Sequence, residues 1–309
     1  MRGMSLVVLG GGLHGFKGRF GMWVAVAGVT LAGQLWAAES PIDRSEPLRC
    51  VGEGFGLPDG PAWNARGFLV VGDVKSKTTH RYDLVTSLWE QVPGLAERYS
   101  GFFATGGKLY AANNSGGSLD CFRGGLAEDL VQVSSVPLPL GPDGKPARPN
   151  DIAVDRAGGV YVTITSRDEV LYVDSRGDVR VATTAVASPN GLILSPDQRV
   201  LYVANYRGKA IARLPVVSPG KLGQLQRFAE MDDGDALGAD GMTIDHGGNV
   251  YCAGATAVWI WSERGRLLDQ LECPTRPINA TFGGKAGRSL FVTCFDGVYV
   301  QPMRVAGCE

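Results

Sequence analysis

One short pattern returns six times along this chain, and it constrains the fold more than any single motif does. It is a Gly-rich or polar turn, an apolar residue, an aromatic residue or Val, and then small or apolar residues. The instances are Gly67-Phe68-Leu69-Val70-Val71, Gly107-Lys108-Leu109-Tyr110-Ala111, Gly159-Val160-Tyr161-Val162, Arg199-Val200-Leu201-Tyr202-Val203, Asn249-Val250-Tyr251-Cys252 and Ser289-Leu290-Phe291-Val292. Their centres at positions 70, 110, 161, 202, 251 and 291 are separated by 40, 51, 41, 49 and 40 residues. Six units at that period are the signature of propeller blades.

A second landmark precedes each unit: a polar residue beside Pro or Gly, then a short apolar run. Examples are Asp59-Gly60-Pro61-Ala62-Trp63, Pro149-Asn150-Asp151-Ile152 and Asp240-Gly241-Met242-Thr243. Turn sequences such as Asn64-Ala65-Arg66-Gly67 and Asp245-His246-Gly247-Gly248 lie between the two landmarks, so each unit reads strand, tight turn, strand. A third run follows in most units, as in Thr79–Leu84, Val170–Asp174 and Val258–Trp261, and then a fourth, as in Val179–Ala182 and Leu267–Leu271. No long segment has a helical period. Four short strands in each of six units predict an all-β, six-bladed β-propeller. A β-sandwich would not produce six equivalent units.

The 44 glycines fit a chain of many turns, and the charge balance, with Lys+Arg 30 against Asp+Glu 31, gives no field for nucleic acid or an anionic membrane. The start reads as an address. Lys17 and Arg19 precede the apolar run Met22–Gly33, and Gln34-Leu35-Trp36-Ala37-Ala38 ends in small residues. That order predicts a secretory signal over 1–38, a single propeller domain over 39–309, and a periplasmic or extracellular protein that keeps no membrane anchor after cleavage. The G-x-G-x-x-G string Gly10–Gly15 lies within this leader, and no strand–turn–helix follows to make it a dinucleotide site. Export permits disulfides among Cys50, Cys121, Cys252, Cys273, Cys294 and Cys308. Cys252 and Cys294 sit where Val would serve in a strand, which marks them as buried apolar residues. Cys50 and Cys308 stand at the two ends of the ring and are an expected bridge.

In a propeller the innermost strand of each blade lines the channel, with its first residue aimed at the axis. Those positions are expected to hold Asp59, Ser100, Asn150, Asn190, Asp240 and Asn279, all bearing oxygen. Carboxylates and amides gathered at one point need a positive partner. A donor set of oxygen alone suits one hard divalent cation, Ca2+ first, with Mg2+ or Mn2+ as alternatives.

Several of these strings, in this order along almost the whole mature chain, resemble the senescence marker protein-30/gluconolactonase family. They are Asp59-Gly60-Pro61-Ala62-Trp63, Pro149-Asn150-Asp151-Ile152-Ala153-Val154-Asp155, Pro189-Asn190-Gly191-Leu192, Asp240-Gly241-Met242-Thr243-Ile244-Asp245 and the closing Phe282-Gly283-Gly284. The resemblance implies a six-bladed propeller holding a calcium-type cation, with members that hydrolyse lactones. It implies Asp59, Asn190 and Asp240 as metal ligands, with Asp59 where the family usually has Glu. It also implies Asn150 and Arg148 as substrate residues. The loop Ile164-Thr165-Ser166-Arg167-Asp168 departs from the family's usual sequence. On that basis the expected reaction is metal-assisted hydrolysis of a sugar lactone or related ester, with Asp240 also accepting the proton of the attacking water. The competing reading is a non-catalytic binding or sensor propeller that keeps a structural cation. A serine hydrolase lacks its G-x-S-x-G elbow. Of the histidines beyond the leader, His80 and His246 are both expected at the surface.

Overall fold

The computed structural model describes residues 39–124 and 130–308. The expected leader, its cleavage point and the Gly10–Gly15 string lie outside the described residues. Among the described residues, helix is confined to two three-residue 3-10 turns, Thr165–Arg167 and Lys285–Gly287, and the strands form six antiparallel sheets. Blade 1 runs Pro58–Asn64, Phe68–Asp73, Thr78–Asp83 and Leu88–Gln91. Blade 2 runs Tyr99–Thr105, Lys108–Asn113, Ser118–Arg123 and Val131–Pro137. Blade 3 runs Ile152–Val154, Val160–Ile164, Glu169–Val173 and Val179–Thr183. Blade 4 runs Pro189–Leu194, Val200–Asn205, Ala210–Ser218 and Gln226–Glu230, with the extra pair Lys221–Leu222. Blade 5 runs Met242–Ile244, Val250–Ala253, Ala257–Trp261 and Leu267–Glu272.

Blade 6 is composite. Its three strands Pro277–Gly283, Ser289–Cys294 and Gly297–Pro302 come from the end of the chain, and its outermost strand, Arg49–Glu53, comes from the beginning. The first strands of neighbouring blades contact one another in an unbroken circuit, blade 6 meeting blade 1, so the ring is closed. This is the architecture expected from the repeat. The N-terminal closing strand did not carry the repeat pattern and was not anticipated.

The core lies between the blades rather than in one centre. Six buried clusters each join a pair of adjacent blades. At the closing seam Leu69, Val71 and Tyr82 of blade 1 pack on Phe291, Val298 and Val300 of blade 6. The Trp63 ring stacks on Phe291 at 5.6 Å. The recurring aromatic of the sequence pattern therefore fills an interblade seam. Burying each such side chain contributes about 1.5–3 kcal/mol.

Two expectations are corrected here. Cys50 is on the outermost strand of blade 6, whereas the Cys308 amide bonds the Ile244 carbonyl on the first strand of blade 5, so the two ends close the ring at opposite radii and no bridge joins them. His80 is half-buried on the third strand of blade 1. Its Nε2 lies 2.9 Å from Thr78 Oγ1 and its ring meets Phe55 edge-on, while burial lowers its pKa. His246 is exposed, as expected, and Cys252 and Cys294 are fully buried among apolar neighbours.

Candidate functional site

Register, not sequence spacing, decides which residues meet on the axis. The first strands of blades 1, 2, 4 and 6 slip register at their starts, between Asp59 and Ala62, Tyr99 and Gly101, Pro189 and Leu192, and Pro277 and Asn279. Such bulges re-aim side chains. In blades 3 and 5 the chain is held at the same level just before its strand. There the Asn150 amide bonds the Thr163 carbonyl and the Asp240 amide bonds the Ala253 carbonyl. Superposing these registers gives two layers. The upper layer is Asp59, Ser100, Asn150, Asn190, Asp240 and Ile278. The layer beneath is Gly60, Gly101, Asp151, Gly191, Gly241 and Asn279.

This corrects one of the six expected axial positions and the orientation of a second. Asn279 sits one residue deeper than its motif suggests, and Ile278 takes its place above. Ser100 does lie in the upper layer, but its hydroxyl is spent on the Pro149 and Asn150 carbonyls of the next blade, at 2.9 and 2.7 Å.

The lower layer is glycine wherever neighbouring blades press together. A Cβ on Gly191 would fall 2.3 Å from the Asp240 carbonyl, and one on Gly241 would fall 1.9 Å from Asn279 Cγ. The room saved there is filled by Asp151 and Asn279, whose side chains lie close to one another. Asn279 also donates from Nδ2 to Asp59 Oδ1 at 3.4 Å. These two side chains border a cavity of about 320 Å3 that extends from this layer along the rest of the channel, lined by Trp63, Phe102, Met242 and Phe282. The axis is thus polar at the end where the first strands begin and apolar at the other.

The sequence-derived residues fall as follows. Asp59 and Asp240 feel each other's charge, and the Asn190 side chain lies near enough to Asp240 to oppose the rise in its pKa. Asn150 donates to Thr165 Oγ1 at 3.2 Å, and that hydroxyl is turned toward the Pro189 carbonyl. The loop Ile164–Asp168 therefore positions Asn150 through its 3-10 turn. Arg148 is exposed at the rim, its Nε 3.4 Å from Asn114 Oδ1. Asp59, Asn190 and Asp240 come together, Asn150 joins their layer, and Arg148 stands apart above them.

Burial raises the Asp59 carboxyl to about 6, against hydrogen bonds from Gly60 and Asn279. Burial and the Asp59 charge raise Asp151 to about 8. Asp240 is also pushed well up by burial and by Asp59, and Arg276 opposes this, with Nη2 3.4 Å from Oδ2. Arg276 is itself held by the Tyr206 hydroxyl at 2.9 Å, beside the Tyr206 and Phe295 rings. Among the described residues no three His, Cys, Asp or Glu side chains are arranged as a metal centre. The convergent set here counts an amide: two carboxylates and Asn190. Oxygen donors and two mutually repelling acids fit a hard divalent cation.

Sequence reasoning missed Asp151, Arg276 and Tyr206 as parts of this site. Asp151 had a signal, since it stands where four of the other five blades have Gly after the upper-layer residue. Arg276 and Tyr206 lie in connecting segments with no repeat to mark them.

Residues 57–296 match the model of the SMP-30/Gluconolactonase/LRE-like region. A gluconolactonase of Zymomonas mobilis is 25% identical over 295 residues, covering 83% of this chain and 81% of that one. A gluconolactonase structure from Xanthomonas campestris has a TM-score of 0.72 at 20% identity, covering 86% of this chain and 98% of that one. The calcium-binding protein regucalcin of Agrobacterium tumefaciens has a TM-score of 0.69 at 18% identity, covering 85% and 96%. The two structures establish the shared fold.

Proposed function

The chain belongs to the SMP-30/Gluconolactonase/LRE-like family, and from that premise we propose that it is a lactonase, opening the ring of a sugar lactone or related ester at the polar end of its channel with the help of one divalent cation. The observation that carries the proposal is the convergence of Asp59, Asn190 and Asp240 in one layer, with the two buried carboxyls acting on each other's charge. The gluconolactonase relative supports the reaction, and regucalcin supports calcium as the ion.

Asp59, Asn190 and Asp240 would hold the cation. When bound it supplies positive charge to the lactone carbonyl and to the oxyanion that develops there. The protein does the rest. Asp240 accepts a proton from the attacking water, and the neighbouring Arg276 keeps that carboxyl from rising further. Asn150, fixed by Thr165, offers its amide to the ring substituents. Arg148 reaches the substrate from the rim. Ile278 and the Asp151–Asn279 pair form the floor of the site, above the cavity that continues along the channel.

The test is hydrolysis of glucono-1,5-lactone by purified residues 39–309, first stripped with EDTA and then returned to Ca2+, Mg2+ or Mn2+. Turnover that vanishes with EDTA and returns with an ion is the expected result. No turnover with any of the three ions sinks the reading.

A further inference from the structure

We infer that the channel mouth carries an oxyanion subsite, built by Arg98 and Arg148 around Asn114, that selects lactones bearing a second, anionic group. The inference rests on the lactonase reading and adds to it the charge class of the substrate.

Arg98 directly precedes the first strand of blade 2 and is half-buried. Its Nε is shielded from solvent and has no acceptor. Asp59 attracts it through space, but the Asp59 carboxylate takes its hydrogen bonds from the Gly60 amide and Asn279. The guanidinium is therefore close to the reaction layer and is not consumed by it. Among the described residues Arg148 pairs with no carboxylate; its bond there is the 3.4 Å contact to Asn114 Oδ1, made by Nε, which leaves the terminal nitrogens open.

Asn114 ties the two together. Its amide nitrogen bonds the Arg98 carbonyl at 2.9 Å, and its Nδ2 bonds the Pro149 carbonyl, also at 2.9 Å. Pro149 separates Arg148 from Asn150 of the upper layer, so this sector of the mouth is braced against the site. A buried guanidinium donor without an acceptor costs free energy in the empty protein. Asn114 thus holds the Arg98 main chain and the Arg148 side chain, and guanidinium groups such as these two carry match a carboxylate or a phosphate, which they bind in bidentate fashion.

The other arginines with a shielded, unpartnered nitrogen do not compete. Arg81 pairs with Glu90 through its other nitrogens, and both it and Arg213 stand on third strands. Arg276 is already engaged by Tyr206 and Asp240.

The test is calorimetric titration of the Ca2+-loaded protein with gluconate, glucarate and 6-phosphogluconate. All three carry the same carboxylate at C1 and differ at C6, which bears a hydroxyl, a carboxylate or a phosphate. Glucarate or 6-phosphogluconate should bind about tenfold tighter than gluconate, the size of one charge-assisted contact. Which of the two binds tighter identifies the oxyanion. Arg98→Gln should erase most of that advantage, and Arg98→Lys should restore part of it, in proteins whose far-UV spectra match the parent. Equal affinity for all three ligands overturns the subsite with no variant needed, as does an advantage that survives in Arg98→Gln. Kinetics with glucono-1,5-lactone and glucaro-1,4-lactone separate the two claims. Hydrolysis of both at equal kcat/KM overturns the subsite alone. Hydrolysis of neither overturns the enzyme reading and leaves the titrations to judge the subsite.

Discussion

Asp240 has two demands on one carboxyl, since it faces Asp59 and also leans on Arg276. Replacing it with Asn keeps the shape and removes the charge. Asp240→Asn should lower kcat by about 10²–10⁴, the usual worth of a positioned proton acceptor. It should also shrink the rise in melting temperature on adding Ca2+, while the EDTA-treated variant melts no lower than the EDTA-treated parent because one repelling charge is gone. A variant that keeps both full activity and the full Ca2+ response would remove Asp240 from the site. Gly241 is constrained differently, by the 1.9 Å that would separate its added Cβ from Asn279 Cγ. Gly241→Ala should cost about 1–3 kcal/mol in a denaturant titration, as overpacked sites do. The position of Asn279 explains what was hard to read in the sequence at this scale. Pro277-Ile278-Asn279 looks like Pro189-Asn190-Gly191 with the polar residue moved by one, and only the bulged pairing shows that Asn279 aligns with Gly191.

At the scale of elements, the blades were legible because each repeats a hairpin with a polar turn and an aromatic aimed into a seam. Phe68–Asp73, Lys108–Asn113 and Val200–Asn205 all appear as the pattern predicted. The strand Arg49–Glu53 was not legible. Its sequence Arg-Cys-Val-Gly-Glu is short, half-exposed and bulged, and it is a strand only because Gly297–Pro302 offers it an edge. The Trp89 ring of blade 1 also caps it, donating from Nε1 to the Val51 carbonyl. Deleting residues up to Glu53 should therefore open the seam between blades 6 and 1. The expected loss is about 3–5 kcal/mol, from a handful of ladder bonds at about 1 kcal/mol each. Unfolding by urea measures it, and an unchanged midpoint would mean that the three remaining strands of blade 6 suffice.

The molecule as a whole gathers three raised acids near one axis, and this sets its response to pH. Asp59 and Asp151 hold protons up to about 6 and about 8, against a reference of 3.8. Over that interval the folded state binds more protons than the unfolded chain, so stability falls as pH rises from about 4 to about 8. His80 acts in the opposite direction. Its pKa is lowered, so it contributes stability above the ordinary value of 6.5 that is lost as pH falls from there through the lower folded value. In EDTA, Asp151→Asn should therefore melt higher than the parent near pH 8, and the gap should close near pH 4. Ca2+ should raise the parent's melting temperature most at the alkaline end, where the ligands are ionised. A gap that does not vary with pH would show that Asp151 is not titrating in the folded protein.

The composite blade also orders events in time. The strand that completes the ring is among the first parts of the propeller to be synthesised, yet its partner, Gly297–Pro302, is among the last. Pairing across nearly the full length of the propeller is slow, because the loop that it closes spans all six blades. Until it forms, blades 1 to 5 can assemble from local hairpins, but they remain an open arc with Leu69 and Val71 exposed at one end. Locking is thus deferred until Gly297–Pro302 has been made, and a product truncated before residue 297 would leave its own first strand as an unpaired, adhesive edge.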